Sequence, residues 1–174
     1  MRKPFYVTTP IYYVNDKPHI GHAYTTILAD VLARFKRDSE HDTFFLTGLD
    51  EHGQKVQEAA EKRDIDPQKH CDEMAPRFTR LWKRLHISND DFIRTTEMRH
   101  KKIVQLILQR VMDNGDIYEA EYEGLYSVSE ERFITEKEAE SGDFRDIKKL
   151  KEKNYFFKMS KYQQQLVDHI KSNP

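Results

Sequence analysis

The sequence predicts an α/β protein whose first two thirds form part of a parallel sheet and whose remainder is a β-rich insertion. Two observations carry this. Short aromatic and β-branched runs alternate with segments of helical period as far as Gly115, and strands separated by helices in this way pair in parallel. Beyond Gly115 the residues alternate along the chain instead, which is the period of half-buried strands.

The run Phe5 to Thr9 reads as a first buried strand, ended by Pro10. After a loop holding Asn15, Asp16 and Pro18, residues 20–37 place Ile27, Leu28, Val31, Leu32 and Phe35 at helical spacing. Arg34, Lys36 and Arg37 fall in the last turn, where the helix dipole favours cations. Residues 42–48 repeat the strand pattern, and Gln54 to Arg63 reads as a helix with Val56, Ala59 and Ala60 inward. Asp66 is a good N-cap before Pro67, so a third helix is expected towards Leu85, bent or interrupted at Pro76. Asp91 to Thr95 reads as a third strand. A helix from about Glu97 to Asn114 carries Ile103, Val104, Leu106, Ile107, Leu108, Val111 and Met112, and Gly115 stops it. From Ile117 to Val128 short antiparallel strands are expected, then an acidic turn of helix over 135–141 and a charged stretch from Arg145 to Lys153. The expected divisions are 1–115, the half-sheet; 116–157, the insertion; and 158–174, a helix leading out of it.

Composition excludes several classes. With 37% apolar and 34% charged residues the chain is an ordinary globular one. It has no apolar run long enough to span a bilayer, and a cytoplasmic location is expected. A single cysteine, Cys71, forbids an internal disulfide and any multi-cysteine metal cluster. Twenty-nine basic and 30 acidic side chains leave a net charge of −1, so no global field favours nucleic acid. Two local basic patches, one at Arg77, Arg80, Lys83 and Arg84 and one at residues 99–102, read first as solvated helix faces.

Chemistry concentrates in two strand-to-helix loops, where open α/β sheets bind ligands. In the first, His19 and His22 share a face at a helix start, and Gly21 lets a flat group approach the backbone. Free N–H groups and the positive dipole end favour an anion there, so a nucleotide phosphate suits the loop. The plain alternative is that both histidines only cap and pack. In the second loop, Asp50, Glu51 and His52 end the second strand; Asp50 either binds an ammonium group or caps the next helix. His52 would be the third ligand of a metal reading, but nothing supplies the spacing or surroundings of such a site, so no metal is expected.

The motifs in order are Pro10-Ile11-Tyr12-Tyr13-Val14-Asn15, Pro18-His19-Ile20-Gly21-His22, Asp50-Glu51-His52-Gly53, Phe92-Ile93-Arg94-Thr95-Thr96, Tyr122-Glu123-Gly124-Leu125-Tyr126 and Asn154-Tyr155-Phe156-Phe157. Together they resemble the class I aminoacyl-tRNA synthetases, the methionyl-tRNA synthetases in particular, across essentially the whole chain. The resemblance implies the N-terminal half of a Rossmann-like catalytic domain with a connective insertion. It implies that His19, Gly21 and His22 bind ATP, with the two histidines catalytic. It also implies that Asp50 binds the methionine amino group and that Ile11 and Tyr13 contribute to the methionine pocket. The implied substrates are methionine, ATP with Mg2+, and tRNA(Met), with a missing C-terminal half as a further partner. Two other functions stay open: a free-standing HxGH nucleotidyltransferase, and a non-catalytic module that binds tRNA or protein.

Three departures qualify the resemblance. Leu49 stands where threonine is commoner in the family. The insertion of many members carries zinc knuckles with CxxC pairs, but the first pair falls here on Ser127 and Glu130, so no structural zinc is expected. Finally, Lys158-Met159-Ser160-Lys161 imitates the family's mobile KMSKS loop, yet it follows three aromatic residues and precedes Leu166, Val167 and Ile170 at helical spacing. The expectation is a helix capped by Ser160, not a catalytic loop. Because family members continue well beyond this length, the chain alone is expected to be an inactive portion.

Overall fold

The computed structural model describes residues 2–127, 130, 132–144 and 146–173. They form two compact units, residues 1–104 and 105–174.

In the first unit, β1 (Pro4–Tyr13), β2 (Asp42–Asp50) and β3 (Asp91–Arg94) form a parallel sheet in that order. The connections are α1 (Ile20–Asp38) between β1 and β2, and α2 (Gln54–Glu61) with α3 (Pro67–Arg84) between β2 and β3. Pro10 does not end β1. The strand passes through it with a register shift between Thr8 and Ile11 and pairs again as far as Tyr13 opposite Asp50. Proline has no N–H to give the ladder, and the irregularity falls where that bond would be. At Gly48 the strands approach closely: a Cβ built there would lie 2.1 Å from the Ile93 carbonyl oxygen of β3.

The main core lies under the sheet against α3, which buries His70, Cys71, Met74, Ala75, Phe78 and Trp82 along one face. Tyr12, Val14, Leu49 and Val56 complete it. The helix is not interrupted at Pro76; buried residues on both sides, Met74 and Phe78, hold it to the sheet. Asp66 caps it as expected, accepting from Gln68 N and Lys69 N.

Helix α1 reverses the expectation for its apolar stripe. It buries Thr26, Ala29, Asp30 and Ala33, while Ile27, Leu28, Val31, Leu32 and Phe35 are exposed, Phe35 by 60%. Its inner face is fixed by polar bonds. The Asp30 carboxylate accepts from Ser88 N and Ser88 Oγ, both at 2.6 Å, and from Arg34 Nε at 2.7 Å. Burial pushes the Asp30 carboxyl upward, but these donors outweigh it and hold it below the usual carboxylate range. Arg37 reaches Ser88 Oγ at 2.7 Å and Asp90 at 2.6 Å.

Helix α4 (Met98–Asp113), unlike α1, has no buried residue, so the apolar residues that give it a helical period enter no core.

In the second unit, β4 (Ile117–Ser127), β5 (Arg132–Ile134) and β6 (Ile147–Phe157) form an antiparallel sheet in the order β5-β4-β6. The expected short strands are one strand, paired along its whole length from Ile117 opposite Phe157 to Ser127 opposite Ile147. The charged stretch is also a strand. Lys149, Lys151 and Lys153 pair diagonally with Glu123, Glu121 and Glu119, so like charges on each strand face opposite ones across it. The neighbouring positions bring Tyr118, Tyr122, Phe133 and Phe156 into ring contact. Val128, Ser129 and Arg145, on which parts of the expectation fell, lie outside the described residues. The short α5 (Glu136–Glu140) is capped by Thr135.

The residues 158–161 depart from expectation in detail. Ser160 caps no helix: Met159–Tyr162 is a 3-10 turn, and α6 (Gln163–Ser172) starts after it without a side-chain cap. The turn is tied instead to Gly115 and Asp116. Lys158 donates from N to the Asp116 carbonyl at 2.8 Å and from Nζ to the Gly115 carbonyl at 2.7 Å. Lys161 Nζ and Tyr162 Oη both donate to the Asp116 carboxylate at 2.5 Å.

Candidate functional site

The β1–β2 register brings the two chemical loops together. Tyr13 lies opposite Asp50 and Ile11 opposite Gly48, so the ends of both strands, and the loops that leave them, share one edge of the sheet. A cavity of about 470 Å3 opens there, lined in part by Ile11, Tyr12, Tyr13, Lys17, His19 and His22. Four expected site residues, Ile11, Tyr13, His19 and His22, therefore face one space. Asp50 is at the neighbouring strand end, half-buried, and Gly21 lies in the first turn of α1; neither lines that cavity.

The two histidines build the helix start as a reciprocal cap. His19 Nδ1 accepts from Gly21 N at 3.1 Å, and His22 Nδ1 accepts from the His19 N at 3.1 Å. A ring nitrogen that accepts cannot carry a proton, so each neutral ring carries its proton on Nε2. The rings stack at 3.8 Å between centroids. Two Nε2–H donors are thereby set side by side. The His22 pKa is held below its usual 6.5, chiefly by burial and secondarily by the neighbouring His19. The burial has identifiable walls: the Tyr12 ring at 4.8 Å and the Phe78 ring at 5.5 Å, both edge-on to His22. Tyr12 is fixed in turn by a 2.8 Å hydrogen bond to Thr26 Oγ1, which donates to the His22 carbonyl.

Gly21 adopts an ordinary helical position, and a Cβ there would meet only the His19 ring at 3.0 Å. Asp50 does not cap α2. The N-cap is Gly53, at φ +105° and without a side-chain bond, while Asp50 Oδ1 accepts from His52 N at 3.2 Å. The other Asp50 oxygen has no partner among the described residues, which leaves it free to accept from a ligand.

Several supporting residues had no separate signal in the sequence. Glu51, with its side chain fully buried, accepts from Arg94 Nε at 2.6 Å and from Thr96 Oγ1. Its N donates to Thr95 Oγ1 at 2.9 Å. Arg94 also bridges to Asp72 at 2.5 Å. The second loop is thus tied to β3 and α3, and removing one member would strand a buried charge. His52 turns its Nδ1 to Thr95 Oγ1 at 2.9 Å, away from any partnership with the first loop. His70, buried in α3, bonds the Val14 carbonyl at 2.8 Å and fixes the start of the first loop. Glu51 and Arg94 stood inside motifs quoted above, but only the fold shows them paired.

Among the described residues no group of three or more His, Cys, Asp or Glu side chains is gathered to hold a metal ion. At the position of the family's first cysteine pair, Ser127 Oγ accepts from Glu130 N at 3.3 Å. A hydroxyl and a carboxylate in place of two thiolates do not fit a structural zinc site. Cys71 is buried and its thiol is pushed up to about 11, mainly by burial, so it is not a reactive nucleophile.

The family model described as tRNA synthetases class I (M) matches residues 5–143. A methionine–tRNA ligase of Rickettsia bellii is 52% identical over 178 residues, covering 100% of this chain and 35% of that protein. One from Listeria monocytogenes is 48% identical over 189 residues, covering 99% of this chain and 28% of its own length. The structure of Mycobacterium tuberculosis methionyl-tRNA synthetase in complex with methionyl-adenylate matches with a TM-score of 0.91 at 40% identity, over 99% of this chain and 35% of that one. The chain spans about a third of the length of the curated relatives it matches.

Proposed function

This chain belongs to the class I tRNA synthetases of the methionyl type, and from that premise we propose that it forms the first half of the adenylation site of a methionine–tRNA ligase. The observation that carries the reading is the shared edge: the paired histidines, Ile11 and Tyr13 face one cavity, and Asp50 stands at the end of the adjacent strand.

In the proposed reaction a methionine carboxylate oxygen attacks the α-phosphorus of ATP. The bond to the bridging oxygen breaks, and pyrophosphate leaves with its electron pair. The methionyl group then passes from the adenylate to a ribose hydroxyl of tRNA(Met), releasing AMP. Attack of this kind needs positioning and charge stabilisation more than a nucleophile from the protein. The Nε2–H groups of His19 and His22 would donate to phosphate oxygens as negative charge shifts onto them, assisted by the N-terminus of α1. The free Asp50 oxygen would accept from the methionine ammonium, and Ile11 and Tyr13 would contact the side chain. Magnesium would enter with ATP, and no residue is assigned to it. A cytoplasmic location suits this role.

The exposed apolar faces of α1 and α4, and the β1 edge left without a neighbour in the three-stranded sheet, are surfaces that the rest of a longer enzyme would cover. We therefore expect the 174-residue chain alone to be inactive.

The test is methionine-dependent ATP–pyrophosphate exchange by the Rickettsia bellii enzyme with its matching N-terminal stretch replaced by this chain. Exchange by the chimera, loss of at least about a hundredfold in kcat with His22→Ala, and none by the isolated chain are the expected results. A well-folded chimera without exchange, or one equally active with leucine or valine, would refute the proposal.

A further inference from the structure

One face of α3 was set aside above as a solvated helix surface, and its surroundings change that reading. Arg77, Arg80 and Arg84 stand three and four residues apart, on one stripe beside the buried face. Together with Leu81 they form one wall of an open groove of about 370 Å3. The opposite wall is Lys17 and Pro18, from the loop that leads into the histidine pair. Four cations thus converge on one groove, and no carboxylate lines it. Among the described residues none of the four side chains has an ion pair or hydrogen bond, although the Lys17 backbone N donates to Asp16 Oδ1 at 2.6 Å. By contrast, Arg34, Arg37, Arg63, Arg94 and Arg99 of this unit are each bound to a carboxylate. Because the whole chain is nearly neutral, this local concentration is not a by-product of a basic composition.

Lys17 lines both this groove and the cavity of the candidate site. A ligand following the cations along α3 would be led to the strand ends. We propose that the groove binds the sugar-phosphate backbone of RNA near the end that must enter the site; this rests on the synthetase reading above and names the surface that would guide the RNA. The helical rise of 1.5 Å per residue spreads Arg77 to Arg84 over roughly 10 Å, long enough to meet more than one phosphate of a backbone. Arginine suits the task because its planar fork pairs with phosphate oxygens in bidentate fashion.

Binding of fluorescently labelled unfractionated tRNA to the 174-residue chain, measured by anisotropy across a salt series, tests this. Each phosphate contact contributes about 0.7–0.9 to the slope of log K against log salt. Replacing Arg77, Arg80 and Arg84 together by alanine should flatten the slope by about two to three, and weaken binding at about 0.1 M salt on the order of a hundredfold. The corresponding triple arginine-to-lysine variant should recover most of the slope. If loss of Arg77 unsettles α3, the double variant Arg80→Glu/Arg84→Glu, on exposed positions, reads the same effect.

Undetectable tRNA binding by the native chain, or a slope unchanged in the variants, would overturn the proposal. So would equal loss of binding to inorganic tripolyphosphate or to polyglutamate, because the groove would then hold a nucleotide or an acidic protein. Pyrophosphate exchange by the chimera needs no RNA. A failure of the adenylation reading therefore shows there, and a failure of the RNA groove shows only in the salt series.

Discussion

Replacing Phe78 by alanine should damage stability and site chemistry together, in a way that separates packing from general unfolding. The ring is fully buried in α3, 5.5 Å from the His22 ring, 6.4 Å from Tyr12 and 6.2 Å from Trp82. Truncating a fully buried phenylalanine costs about 3–5 kcal/mol, from lost transfer energy and the cavity left behind. For a chain of this size that corresponds to a fall of roughly 6–20 °C in Tm.

The second readout is the titration of His22, followed by NMR. Burial is the larger cause of its depressed pKa, so removing one wall should raise the value towards 6.5. The sign for stability follows. Between the folded value and 6.5 the unfolded chain binds a proton that the folded one does not, so stability rises with pH across that window and falls on acidification through it. In Phe78→Ala the window narrows and this part of the acid sensitivity shrinks. Phe78→Leu, which keeps most of the volume, should cost less than about 1.5 kcal/mol. A cost below about 1 kcal/mol for the alanine variant would contradict the packing account, and an unmoved His22 titration in a folded variant would contradict the burial account.

Two other outcomes are expected. Gly48→Ala drives a Cβ to 2.1 Å from the Ile93 carbonyl and must part β2 from β3, so urea denaturation should show a loss at or above the upper end of the roughly 1–3 kcal/mol typical of overpacking; a loss under about 0.5 kcal/mol would show that the strands yield freely. Lys158→Ala and Lys161→Ala, placed in the chimera, should lower its melting temperature by loosening the turn at Gly115 and Asp116, yet change pyrophosphate exchange far less than His22→Ala does; a loss of exchange equal to that of His22→Ala would make these lysines catalytic after all.

The order of elements was legible because it depends on local pattern. Strand runs, the helix cap at Asp66 and the stop at Gly115 all act within a few residues. What failed depends on partners distant in sequence. The stripe Ile27 to Phe35 looks like a core face by period alone. Nothing local reveals that Asp30 would instead be drawn inward by Ser88, 58 residues away. The stretch Arg145 to Lys153 read only as a charged segment; its pairing as a strand depends on the cross-strand glutamates at 119, 121 and 123. Residues 158–161 illustrate the same limit. Their similarity to a catalytic loop is in the letters, whereas the bonds to Asp116 that fix them cross 45 residues. For the candidate site, the loops were legible because strand ends and helix starts concentrate chemistry. The Phe78 wall and the Glu51–Arg94 tie required the tertiary fold.

The reciprocal cap at the start of α1 has a bearing on how substitutions there are interpreted. Alanine at position 19 or 22 deletes a ring that lines the cavity and also unfastens the first turn of a 19-residue helix. A rate loss from such a change therefore mixes two causes. Asparagine is the cleaner probe, since its side-chain oxygen can still accept from a helix N–H while its reach into the cavity is shorter. A position where asparagine keeps the fold and loses the rate reports on chemistry; one where it restores both was only ever fastening the helix.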